Sequence, residues 1–257
     1  MHFAFDRAER GNVFTHYRTQ GLIIGKEDRG EADQLFIIYT KDFGKLEILG
    51  KAIKKISSKL RSGADIFYLS EIEFIQGKTY KTLIDAILIE KFEILRKSLK
   101  RLKIAYQVAN VLDTLVRGQE KDEKIWVLLQ GTFKELNNWK LKIGTLKLIY
   151  YYFFWNFFAL LGYKPELYNC VLCQKKLIPE SLYFNSKEGG VICDSCFKKS
   201  GEGEKISQDL VKILRVILKK NWVIFQKLKI ENFYKQALKN ISEGYFSFIC
   251  SMEGFER

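Results

Sequence analysis

Two close cysteine pairs, Cys170-Val-Leu-Cys173 and Cys193-Asp-Ser-Cys196, constrain this chain more than any other feature. Two residues between thiols let one tight turn aim both at the same ion, and a tetrahedral ion needs two such turns. Leu182-Tyr183-Phe184 and Val191-Ile192 flank Gly189-Gly190, which predicts a hairpin that returns the second pair beside the first. The expectation is one zinc ion per chain held by Cys170, Cys173, Cys193 and Cys196. Four thiolates complete the coordination sphere and leave no position for substrate, so the ion is read as a staple and not a catalyst. The fifth cysteine, Cys250, lies far away between Ile249 and Ser251 and reads as a small core residue.

The chain has 257 residues, of which 47% are apolar, enough for one large domain or two to three small ones with real cores. Residues 1–14 carry mixed charge without period and read as an N-terminal extension. Five segments then have strand character: Tyr17 to Ile24, Gln34 to Thr40, Leu46 to Ala52, Ile66 to Ile75 and Tyr80 to Leu88. Lys41-Asp42-Phe43-Gly44 and Gln76-Gly77-Lys78 read as hairpin turns. Five short strands in this length predict a small closed barrel over residues 15–90.

From Lys91 the period lengthens. Phe92, Leu95, Leu99, Leu102, Tyr106, Ala109, Leu112 and Val116 follow at three or four residues, which predicts one long helix ending at Gly118. Further helices are expected at about Glu123 to Trp139, Thr145 to Leu161, from Ser207 as N-cap, and Glu231 to Ile241 before Gly244. The fold class is therefore α+β: an N-terminal barrel, then a helical domain over 91–257 with a zinc-binding insertion at about 165–200. The segment Leu148 to Tyr163 is almost wholly apolar and aromatic. As a helix it reaches about 24 Å, short of the roughly 30 Å hydrocarbon core, and reads as a buried helix rather than a membrane anchor. No secretory signal is visible in Met-His-Phe-Ala-Phe-Asp-Arg, and the cytoplasm is the expected compartment.

Lys and Arg number 43 against 30 Asp and Glu, a formal charge of +13, which favours a polyanionic partner. Lys45, Lys51, Lys54, Lys55, Lys59 and Arg61 share their stretch with a single acid, Glu47. Tyr39, Phe43 and Tyr68 lie nearby and are candidates for stacking on bases. A second basic cluster, Arg96, Lys97, Lys100, Arg101 and Lys103, falls on the first predicted helix and could extend a surface that tracks phosphates. Only two histidines are present, and there is no phosphate-binding loop, dinucleotide fingerprint, nucleophile elbow or zinc-protease motif, so the chain does not read as an enzyme.

Tyr17-Arg-Thr-Gln-Gly-Leu-Ile-Ile, Arg29-Gly-Glu-Ala-Asp33, Thr40 with Phe43-Gly44-Lys45, and Lys51-Ala-Ile-Lys54-Lys55 with Ser57 together resemble the RecO family of bacterial recombination mediators. Leu160-Leu-Gly-Tyr-Lys-Pro-Glu-Leu and the two cysteine pairs continue the pattern in the family's order. The resemblance implies an OB-fold barrel, a helical domain and a zinc insertion, and adds Arg29 to the DNA-binding candidates. It implies binding to single- and double-stranded DNA, annealing of complementary strands, and action with RecR to load RecA, indirectly, on DNA coated by single-strand-binding protein, without ATP hydrolysis. Two other readings stand beside it: an RNA-modifying enzyme that uses barrel and zinc to hold its substrate, and a non-catalytic interaction scaffold. The first fourteen residues extend beyond the family's usual start, and Glu231 to Arg257 lacks a basic tail helix.

Overall fold

The computed structural model describes residues 15–77, 79–141, 145–178, 181–225, 227 and 230–254; the expected N-terminal extension lies outside them. Two compact units follow one another, dividing after Leu141.

The first unit opens with β1 (His16–Arg29), β2 (Asp33–Thr40), β3 (Gly44–Gly50), β4 (Leu69–Gln76) and β5 (Lys81–Glu90), closed into a barrel in the order β1-β2-β3-β5-β4. β1 is long enough to pair with β2 at its C-terminal end and β4 at its N-terminal end, and a register shift between Ile23 and Gly25 marks its bend. Closure between β3 and β5 is parallel and brief, Ile48 with Lys81 and Leu49 with Thr82. This is the OB-fold arrangement, with β3 leading by a long loop to β4. Alternation drives it: Ile23, Phe36, Ile38, Leu46, Ile48, Ile72 and Phe74 point inward and are fully buried. The β2–β3 turn is closed by Thr40, whose hydroxyl donates to the Gly44 carbonyl at 2.9 Å and accepts the Phe43 N–H at 3.1 Å.

Three α-helices follow among the described residues of this unit: α1 (Glu93–Arg96), α2 (Leu99–Leu115) and α3 (Glu123–Leu136). The single helix expected from residue 91 is thus two. Phe92 sits at φ 50°, and Arg96 is drawn onto Asp65 at 2.6 Å, so the chain must turn before Ser98 can start α2. The inward face of α2 also differs from the expected one. Ile104, Ala105, Val108, Val111 and Leu115 are buried with Ala109 and Leu112, while Leu99 and Tyr106 face water. Asp122 caps α3, accepting from the N–H groups of Lys124 and Ile125, and Asn137 beyond its far end accepts from Ile94 and Leu95 to cap α1.

The second unit contains α4 (Leu146–Leu160), β6 (Leu182–Asn185), β7 (Gly190–Cys193), α5 (Asp194–Ser200), β8 (Glu204–Ile206), α6 (Gln208–Leu218), α7 (Trp222–Phe225) and α8 (Asn232–Met252). Ten of the fifteen α4 residues are buried, as a helix enclosed on nearly all sides requires. Trp155 stacks on Tyr245 of α8 at 5.4 Å and meets Phe184 of β6 edge-on at 6.0 Å. Asn156 is tolerated there because its amide donates to the carbonyls of Tyr152 and Ile217, the latter at the end of α6. Ser207 caps α6 through the Leu210 N–H, as expected. The last helix runs far past Ile241, with Gly244 in its interior. The packing of Tyr245 and Ile249 outweighs the roughly 1 kcal/mol that an interior glycine costs. No described helix is long and apolar enough to cross a membrane.

Candidate metal centre and nucleic-acid interface

The Sγ atoms of Cys170, Cys173, Cys193 and Cys196 lie within 4.8 Å of one another, and all four thiols are unbridged. The first pair occupies a tight turn. The Cys170 carbonyl accepts the Gln174 N–H at 2.8 Å, Gln174 adopts φ 59°, and the Cys170 N–H donates to the Lys175 carbonyl at 2.8 Å. The second pair is set by an element junction: Cys193 ends β7 and is the N-cap of α5, which places Cys196 in the first helical turn.

Backbone pairing brings the two turns together. Val171 donates to the Val191 carbonyl at 3.1 Å, Val191 to Glu166 at 2.9 Å, and Glu166 to Gly189 at 3.0 Å. Gly189 takes φ 72° in the turn, and a Cβ on Gly190 would stand 2.5 Å from the Glu166 carbonyl oxygen, so that this crossing admits only glycine. β6 and β8 back the site as a three-stranded sheet with β7, and Tyr183 lies flat against Phe197 at 3.6 Å.

The electrostatics of the cluster call for a cation. The Ser195 hydroxyl, 3.2 Å from the Cys193 Sγ, leads the effects that lower that thiol to about 6. Burial, then the neighbouring thiols, push Cys196 up to about 12. Burial also opposes ionisation of Cys170, but N–H groups of Cys173, Cys193 and Leu172 outweigh it and lower its pKa. Four thiolates this close cannot all ionise without a positive ion among them. The donor set therefore fits a metal ion, which all four residues could hold.

The basic residues separate into two groups. Lys51, Lys55, Lys59 and Arg61 are exposed along the loop from β3 to β4, with Ser57 and Ser62 also at the surface. That loop is held rather than loose: the Ala52 N–H donates to Asp33 at 2.7 Å, the Lys54 N–H to the Ala32 carbonyl at 3.0 Å, and Ile53, Leu60 and Ala64 pack against the barrel core. Its apolar residues anchor it while its cations stand in water.

The other candidates, Lys100 apart, are already engaged. Lys45 is mostly buried and bridges to the carboxylate and carbonyl of Asp113 on α2, at 3.0 and 2.6 Å. Lys54 pairs with Asp28 at 2.7 Å, Arg29 with Glu27 at 3.4 Å, and Lys97 with Glu93 one turn away at 3.3 Å. Lys100 is exposed on α2. Arg101 is buried, and its guanidinium donates to the carbonyls of Leu136, Asn138 and Leu141. It satisfies the end of α3 and is out of reach of a nucleic acid, contrary to expectation.

The aromatic candidates need the same correction. Tyr39 is fully buried and stacks on Trp126 of α3 at 6.4 Å. Tyr68 is buried in the barrel core beneath the Arg96 guanidinium, 4.6 Å from its ring centre. Phe43 is half-buried, edge-on to Tyr17 and Phe74. None of the three presents an open ring face as strand-facing side chains in a small barrel would have to. Exposed rings stand elsewhere, at Tyr80 in the turn into β5 and at Tyr106 on α2. The sequence pattern put Tyr80 at the start of a strand, just past the Gln76-Gly77-Lys78 turn, whereas Tyr106 shares the three-to-four spacing of its buried neighbours.

Comparison with known proteins agrees with this architecture. Residues 14–92 match the family described as Recombination protein O N terminal, and residues 96–249 match Recombination protein O C terminal. Among similar proteins is a DNA repair protein RecO of Dehalococcoides mccartyi, 29% identical over 237 residues and covering 92% of each chain. Others are the DNA repair protein RecO of Moorella thermoacetica, 28% identical over 90% of this chain and 85% of its own, and that of a Thermoanaerobacter species, 25% identical over 89% and 90%.

Proposed function

Because this chain belongs to the RecO family of DNA repair proteins, we propose that it is a non-enzymatic recombination mediator that binds single- and double-stranded DNA and anneals complementary strands. In this reading it acts in the cytoplasm with RecR to help load RecA on DNA coated by single-strand-binding protein. The observation that carries the proposal is the exposed row Lys51, Lys55, Lys59 and Arg61 on an OB-fold loop whose residues 51–62 include no acid. Annealing requires two polyanions to approach, and their repulsion is the barrier. A cationic edge pinned to a rigid barrel neutralises phosphates without reading bases, so binding is sequence-tolerant. Lys100 on α2 extends the same capacity, and Tyr80 offers a ring on which a base can stack.

For the metal centre the reading is one structural zinc ion. Zn–S bonds of about 2.3 Å in a tetrahedron set sulfurs about 3.8 Å apart, and Cys173 and Cys193 stand at 3.9 Å. Zinc there would tie the Cys170 turn to the start of α5 and supply folding free energy to the small sheet.

Annealing of fluorescent complementary strands, with and without single-strand-binding protein and without ATP, tests the function. Acceleration in both settings is expected. Annealing no faster than the spontaneous rate would overturn the proposal.

A further inference from the structure

The outer surface of the barrel carries two unlike exposures. β4 and residues 83–90 of β5 include Glu71, Glu73, Asp85 and Glu90 and no lysine or arginine; Lys81 stands at the start of β5. Between these acids stand Ile84, Ile87 and Ile89, 41%, 48% and 47% exposed. The register explains the row. Glu73 faces Asp85 and Glu71 faces Ile87, and a shift after Glu73 leaves Ile84 as an extra residue pushed outward. Arg18 and His16 of β1 pair with Glu71 and Glu73 at 2.6 and 2.7 Å, and among the described residues Asp85 and Glu90 have no cationic partner. An apolar strip rimmed by acids repels a nucleic acid and suits a protein surface that is apolar and basic.

Such a surface exists on the same chain. Ile56 is 94% exposed, more than any other large apolar residue described, and stands among Lys51, Lys55, Lys59 and Arg61. Among the described residues these four cations make no ion pair. Residues 51–62 hold five basic side chains and no acid. Among the described residues no ion pair joins the loop to the strip within one molecule. Asp85 and Glu90 on the strip and the four cations on the loop are therefore left, with their isoleucines, for a neighbour.

We propose that a second copy of this chain docks head to tail, its Ile56 loop on the strip formed by Ile84, Ile87 and Ile89. Charge complementarity names the occupant, because both halves of the match are carried by one sequence. Association through such a charged contact grows with concentration and weakens with salt. One consequence rests on the DNA-binding reading above: the loop that docks is the loop that meets phosphates, so DNA and the second copy exclude each other.

Sedimentation velocity on the full chain tests this. At low ionic strength the average mass is expected to rise with concentration, and to return to monomer at about 1 M salt, where the Debye length is about 3 Å. Ile56→Asp, and separately the pair Ile87→Lys and Ile89→Lys, should each give monomer. Mixed together, these two variants should restore a one-to-one species, since each keeps one intact surface; misfolded protein could not do so. A wild-type protein monomeric at every concentration would overturn the proposal, as would association that either variant leaves unchanged or mixing that restores nothing. Oligothymidylate added to the wild type should dissolve the assembly. If the protein self-associates as described yet binds no oligothymidylate, the DNA reading fails and the docking stands.

Discussion

The guanidinium of Arg101 donates through Nη1 to the carbonyl oxygen of Leu136 at 2.6 Å, and this bond binds α2 to the last turn of α3. The same fork reaches Asn138 at 3.0 Å and Leu141 at 3.4 Å. A helix end leaves carbonyls without intrahelical donors, and a buried arginine supplies several donors in one plane.

Arg101→Ala should therefore destabilise the first unit, by about 1–3 kcal/mol for buried acceptors left unsatisfied. Urea unfolding measures the loss. DNA affinity per folded molecule should not change, and Arg101→Lys should recover little of the stability, because an ammonium cannot span the three carbonyls.

Asp65 links the β3–β4 loop to β1 and α1. Burial pushes its carboxyl upward, but Lys26 at 2.5 Å, the Ile66 N–H and Arg96 together outweigh burial and hold it below the ordinary value. A pKa depressed on folding gives stability that is present at neutral pH and lost as pH falls through the folded value. Asp65→Asn should then unfold more easily than wild type at pH 7, with the difference shrinking below about pH 4. Thermal melts across pH test the trend; a difference constant with pH would contradict it.

The four basic residues Lys51, Lys55, Lys59 and Arg61, changed together to alanine, should weaken binding to single strands. If each meets one phosphate, the slope of log affinity against log salt should fall by about 0.7 per residue. Lys45→Ala and Lys54→Ala should change it less, since Asp113 and Asp28 already hold those ammonium groups.

Elemental analysis of protein purified without chelator should find one zinc per chain. Chelation should release hydrogen-exchange protection from β6 through β8 while the barrel retains its own. Gly190→Ala should speed zinc transfer to a chromophoric chelator, because the added Cβ meets the Glu166 carbonyl that Val191 needs.

Much of this was legible in the chain itself. Strict alternation marks a strand wherever one face is buried, so Leu46 and Ile48 located β3 and Phe36 and Ile38 located β2. The cysteine spacing announced a metal site because ligand geometry depends on a few neighbouring bonds. Ser207 announced α6 for the same reason: a cap acts within one turn. Helix phase was less legible, since Leu99 and Tyr106 obey the same spacing as Leu112 and yet face water.

By itself, then, the sequence determined the barrel, the cysteine knuckles and the excess of positive charge, all written in short-range patterns of residue type. Only the tertiary structure decided which charges remain for a partner. Lys100 and Arg101 are neighbours of the same sign. One stands in water and the other is enclosed by the end of α3, because a helix turns each successive side chain by about 100° and the helix packed against it decides which is covered.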